Sequence, residues 1–149
     1  MAVNTDFVGR TYPPSGPYAV DAALVAAFAA AVGATDLVHT DGDAARAAGY
    51  ADVIAPPTMA VRFAQMADRA YVTDPDAGID YSRVVHGEQR FVHHRPITAG
   101  DEVVGTLTVD QARSAGGHAM VTTRTELATT AGEALTTCVS TIVVRGGGA

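Results

Sequence analysis

The chain has 149 residues, 48% of them hydrophobic and 17% charged, with sixteen acidic against ten basic side chains for a formal charge of −6. That is enough apolar chain for one folded domain and short for two, and its acidity offers no general attraction to nucleic-acid phosphates or anionic lipid. All ten basic residues are arginine, which excludes chemistry through a lysine Schiff base or a P-loop lysine.

Residues 1–145 are expected to form the domain, with a flexible glycine-rich tail at 146–149. Met1 to Arg10 has no basic region followed by a long apolar run, and no window approaches the roughly 20 apolar residues of a membrane span, so a cytoplasmic protein with no membrane partner is expected.

The first half reads as helices and loops. Asp21 is placed to cap a helix over Ala22–Val32, and Gly33 follows as its terminator. The interior of that helix is alanine-rich with Leu24, Val25, Phe28 and Val32, so nearly every face tolerates burial. A loop carries Thr35 to Gly42, and Asp43 is expected to cap a short turn through Ala44, Ala45 and Arg46, ending near Gly49. Pro56 and Pro57 then suit the start of a helix, where a missing N–H costs nothing. The predicted stripe of that helix is Met59, Phe63, Met66, Ala67 and Ala70, with Arg62, Gln65 and Arg69 opposite.

The second half reads as strands. An extended segment over Val84 to Arg95 is stopped by Pro96, and a turn follows at Thr98 to Asp101. Val103, Leu107 and Val109 alternate with Thr106, Thr108 and Asp110, which is the period of a half-buried strand. Gly116 and Gly117 turn the chain into Val121, Thr123, Thr125 and Leu127. Ala131 and Gly132 turn it again into Leu135, Val139 and Val143, with Ile142 and Val144 on the other face. An antiparallel meander against the Met59–Tyr71 helix makes an α+β domain, and pattern alone leaves open whether the sheet wraps one helix or closes over several. Cys138, the one cysteine, is expected to be a buried apolar residue of the last strand.

Among the five histidines, His118 follows a turn and reads as a solvated residue. His93 and His94 are adjacent in an extended segment and point to opposite faces, and no HxH or HxxxH spacing occurs, so no metal site is expected. His39 sits three residues after Asp36 on the loop that follows Gly33. A carboxylate and an imidazole there can share acid–base work if both reach one substrate carbon. Spacing alone favours the plainer reading, with Asp36 and Asp41 as turn and cap residues and His39 on the surface.

Three ordered blocks add a resemblance: "FVGRTYPPSGPYAV", "HTDGDAARAAGYADVIAPPTMA" and "DYSRVVHGEQRFVHHRPITAGDEV". Together they are similar to the MaoC-like, hot-dog-fold dehydratases, most closely the A- and C-type subunits of bacterial (R)-3-hydroxyacyl-ACP dehydratases. The resemblance implies a single hot-dog domain, an antiparallel sheet wrapped around a central helix from Pro57 to about Tyr71. It implies an acyl-ACP or acyl-CoA thioester as ligand and no cofactor. The implied partner is a second hot-dog unit, either a copy or a catalytic subunit.

Active members carry a GDxNPxH loop. Aligned on Gly33 and His39, Ala34 stands at the aspartate, Asp36 at the asparagine and Leu37 at the proline. Active members also open the central helix with a histidine–glycine pair whose N–H holds the thioester carbonyl, where this chain has Pro56 and Pro57. A methyl group moves no proton and proline donates none, and losing one such donor typically costs about a hundred- to a thousand-fold in rate. The resemblance therefore implies an accessory subunit whose Pro57 and Thr58 lie beside the acyl chain, and the competing expectation is a displaced Asp36–His39 dyad. A silent acyl-thioester-binding protein is a third. The His86, Gly87, Glu88, Gln89 block matches the family's strand signature and is expected to serve the sheet and the interface.

Overall fold

The structure, a computed structural model, describes residues 2–146. Elements run β1 (Ser15–Ala19), α1 (Ala22–Val32), α2 (Gly42–Ala47), α3 (Ala60–Val72), β2 (Val84–His93), β3 (Glu102–Ala115), β4 (His118–Thr129) and β5 (Ala134–Val144). The strands form one sheet in the order β1-β3-β4-β5-β2, with every neighbouring pair antiparallel. Helix α3 lies across β1, β3, β4 and β5, and this is the sheet wrapped around a central helix. Of the glycine tail, only the exposed Gly146 falls within the described residues.

Local chemistry explains the first helix. Asp21 accepts from the Leu24 N–H, and Gly33 takes the left-handed conformation (φ 69°) that closes the C-terminus. Only Val25 and Ala29 of α1 are buried, and Val32 is half exposed. Tolerance of burial was a property of the residues, but one helix face finds a neighbour. α2 begins two residues earlier than expected: Asp41, not Asp43, is its cap, because the Asp41 carboxylate reaches the N–H groups of both Asp43 and Ala44. Asp43 is left to pair with Arg46.

The stripe of α3 is rotated from the expected one. Met59, Phe63 and Ala67 are buried as predicted, but Ala60, Ala64 and Tyr71 complete the face, while Met66 and Ala70 are exposed. Small residues are inside because the helix sits close on the sheet. A Cβ on Gly105 of β3 would come within 3.2 Å of both the Ala67 Cβ and a Leu127 methyl. Tyr71 closes the far end, with its ring 6.0 Å from Phe7 and 5.9 Å from Tyr12.

The first half also holds a strand, which corrects the reading of it as helices and loops. β1 has no alternation of its own because both Gly16 and Pro17 interrupt it, and it is held by pairing with Val103 and Glu102. β2 ends at His93, two residues before Arg95, where the chain leaves the sheet and the N–H groups of His94 and Arg95 reach the Leu135 carbonyl. In β5 the residues turned to α3 are Thr136, Cys138, Ser140 and Val144; Val139 and Val143 lie on the outer face. Cys138 is 1% exposed, and burial pushes its thiol up to about 12. His118 is exposed as expected, but it begins β4 and accepts a hydrogen bond from the Gly146 N–H at Nδ1.

Candidate active site

The loop after α1 is stitched to the segment before α3. Asp36 caps a short 3-10 turn over Leu37–His39 by accepting from the Val38 N–H at 3.1 Å. The Ile54 N–H donates to the Val38 carbonyl at 3.0 Å, and the His39 ring returns the contact, its Nδ1 lying 2.7 Å from the Ile54 carbonyl oxygen. A carbonyl only accepts, so Nδ1 carries the proton in this contact. The other ring nitrogen, Nε2, makes no hydrogen bond among the described residues. His39 is only 8% exposed, so the ring is held by the fold and not by solvent.

His39 lines a cavity of about 500 Å³ between the 36–39 turn, the start of α3 and the end of β2. Its apolar walls are Ile54, Ala55, Pro56, Ala60 and Ile97. This volume lies in the range of small-molecule sites, and a few polar groups on apolar walls are their usual lining. Asp36 and Pro57 also line it, so the structure brings three of the four expected site residues together. Thr58 is exposed and is not part of the lining. Asp36 and His39 make no side-chain hydrogen bond to each other, and the carboxylate is engaged as a cap.

His93 and His94 bond to neighbouring hydroxyls on β5, Thr136 and Thr137, as expected of residues on opposite faces. Both nevertheless reach the cavity, because β2 ends between them and His94 is no longer bound by the strand's alternation. Among the described residues no group of three or more His, Cys, Asp or Glu side chains is placed to hold a metal ion. Arg95 anchors the rim. It donates to both carboxylate oxygens of Asp101 at 2.8 Å and to Glu133 at 2.7 Å. Burial would raise the Asp101 carboxyl, but the Arg95 bonds and the Thr98 N–H outweigh it and hold it below its ordinary range.

Residues 6–138 match the family described as FAS1-like, dehydratase domain region. The chain belongs to that family. A UPF0336 protein of Clavibacter michiganensis subsp. michiganensis is 51% identical over 146 residues, covering 98% of each chain. Among solved structures, a MaoC-like dehydratase superposes with a TM-score of 0.86 at 30% identity. That match takes 95% of this chain but 43% of the other, which is more than twice as long. The C-terminally truncated HadBC (3R-hydroxyacyl-ACP dehydratase) complex of Mycobacterium tuberculosis holds a chain with a TM-score of 0.82 at 26% identity, covering 93% of this chain and 98% of that one. The fold of this FAS1-like dehydratase-family chain is therefore the MaoC-like hot-dog fold.

A site at the other end of α3 was not read from sequence. Asp68 lines a smaller cavity of about 250 Å³ with Gln65, His86 and Ser140. Burial pushes its carboxyl up to about 7, against hydrogen bonds from Thr125 and Thr123 that pull the other way. The signal was present: Asp68 is an acidic residue next to Ala67, on the flank of the buried stripe. A further cavity of about 530 Å³, lined by residues that include Gly78, His118 and Val144, contains none of the expected site residues.

Proposed function

We propose that the chain is a subunit of an (R)-3-hydroxyacyl-thioester dehydratase or enoyl-thioester hydratase, and that it contributes acyl-chain binding while a hot-dog partner carries the acid–base pair. One observation carries this reading: the apolar 500 Å³ cavity holds a histidine locked to the Ile54 carbonyl, with no carboxylate bonded to it. The residue aligned with the usual aspartate is Ala34, and Pro57 at the start of the central helix has no N–H to offer a thioester carbonyl. His39 Nε2 and the apolar walls would seat the thioester end of an acyl-ACP or acyl-CoA. Water elimination needs no cofactor, since the thioester itself acidifies the α-proton.

Support for a partner comes from β2, whose outer edge is unpaired, and from the paired or double-length relatives described above. No helix among the described residues is long and apolar enough to cross a membrane, and we place the subunit in the cytoplasm. A crotonyl-thioester hydration assay tests the reading. The isolated chain is expected to be inactive or feeble, and adding a catalytic hot-dog subunit restores turnover. Strong activity of the chain alone, abolished by His39→Ala, would overturn it.

One observation favours a second reading. Asp36 and His39 line the same cavity, where a displaced dyad could act on a thioester without a partner. In that case Asp36→Ala removes the activity of the isolated chain while leaving its fold intact.

A further inference from the structure

In the wall of the His39 cavity the residues leading into α3 have no donor to offer, because Pro56 and Pro57 lack an N–H. The polar hydrogens of three other side chains in that wall already have acceptors. Arg95 donates all five of its N–H groups, to Asp101, to Glu133 and to the Pro96 carbonyl. Thr137 donates to Glu126 at 2.6 Å, so His94, whose Nε2 lies 3.0 Å from the same hydroxyl, donates to it. His39 gives its Nδ1 hydrogen to the Ile54 carbonyl.

His93 differs from these three. It is the last residue of β2 and stands directly opposite Thr136 of β5, which is fully buried, so both side chains lie on the α3 face of the sheet. Its ring stacks on Phe91, two residues earlier on that face, with centroids 5.7 Å apart and planes at 22°. Its Nδ1 lies 3.2 Å from the Thr136 hydroxyl, which has no other hydrogen-bond partner among the described residues. A buried hydroxyl keeps its hydrogen bonded, so Thr136 donates to Nδ1 and the ring hydrogen stands on Nε2. A protonated ring carries a hydrogen there as well. That Nε2–H belongs to a side chain lining the cavity, and it has no acceptor among the described residues.

We propose that His93 holds the carbonyl oxygen of an acyl thioester through its Nε2–H, in place of the backbone donor that Pro57 removes from the start of the central helix. The donor then comes from the end of β2 and belongs to a side chain. Stacking on Phe91 and the bond to Thr136 fix the ring before a ligand arrives, so little rotamer freedom is lost on binding. Thr136 acts only through His93 and is a positioning residue. The inference rests on the acyl-thioester reading above and adds to it the residue that recognises the thioester carbonyl.

Calorimetric titration of the full chain tests this with two ligands that differ by one group: butyryl-CoA, a thioester, and S-butyl-CoA, the thioether without the carbonyl. The wild type is expected to bind the thioester about tenfold more tightly, the worth of one hydrogen bond. His93→Phe keeps an aromatic ring on Phe91 and removes the donor. It is expected to lose that tenfold on butyryl-CoA and to bind S-butyl-CoA as the wild type does. His93→Gln carries an amide N–H in place of Nε2–H and is expected to recover most of the loss, with thermal melting showing that both variants fold. Unchanged affinity of His93→Phe for butyryl-CoA overturns the proposal. Equal losses on both ligands overturn it too, because the ring then serves the cavity wall and not the carbonyl. A wild type that binds neither ligand overturns the acyl-thioester reading itself, and the carbonyl donor falls with it.

Discussion

The two ends of α3 solve opposite problems. At the His39 end the polar group is satisfied by backbone: one ring nitrogen is spent on the Ile54 carbonyl, and the walls are apolar. At the Asp68 end polar Gln65, His86 and Ser140 share the walls with apolar Val72, Val84 and Ile142, and the carboxyl rests on threonine hydroxyls with no ion-pair partner among the described residues. The lesson is that a ring tethered to a backbone carbonyl can be buried at little cost, whereas a carboxyl without a cation near it meets burial by holding its proton.

Disrupting the support common to both ends has the largest expected effect. Gly105→Val puts a branched side chain where a single Cβ already meets Ala67 and Leu127 at 3.2 Å, lifting α3 from the sheet. Overpacking of this kind costs about 3 kcal/mol, read as a drop in Tm of roughly 10 °C with both cavities deformed. His39→Ala breaks one end only. It orphans the Ile54 carbonyl and leaves a void, for about 2 kcal/mol by denaturant unfolding, with the Asp68 end unchanged in structure.

The contrast in charge sharpens with pH. The folded Asp68 carboxyl titrates at about 7 against an ordinary 3.8, so the folded state holds a proton that the unfolded chain has lost across that window. Stability from this group is therefore greatest below about pH 4, falls as pH rises toward 7 and is flat above. Asp68→Asn is expected to raise stability by about 1 kcal/mol at pH 8 and by nothing at pH 4, measured as the difference in Tm between the two proteins. The smallest effect belongs to the rim of the His39 end and has the opposite sign. Asp101 is held low by Arg95, so its contribution is complete above about pH 4 and is lost as pH falls through the depressed value. Arg95→Ala is expected to cost about 0.5 to 1 kcal/mol at pH 7, fading in acid.

Much of this was legible in the sequence. Asp21 and Gly33 bound α1 by local hydrogen bonding and backbone conformation, and the alternation from Val103 to Val109 marked a strand by its own period. β1 was not legible, because Gly16 and Pro17 erase its pattern and only the edge of β3 makes it a strand. The loop carrying Asp36 and His39 could be named as a place for chemistry from residue types. That the ring is spent on Ile54, and that Asp36 serves as a cap, required the fold.

Residue types and short-range pattern were enough for the order of elements from α1 onward, the buried cysteine, the lysine-free acidic composition and the lack of a carboxylate at position 34, since these need no partner to be read. The tertiary structure decided which face of α3 is buried, which is set by the close approach at Gly105, and what surrounds Asp68. A side chain's solvation depends on residues from α3, β2 and β5 that meet only when the sheet closes, so the protonation of Asp68 was beyond any reading of its neighbours in sequence.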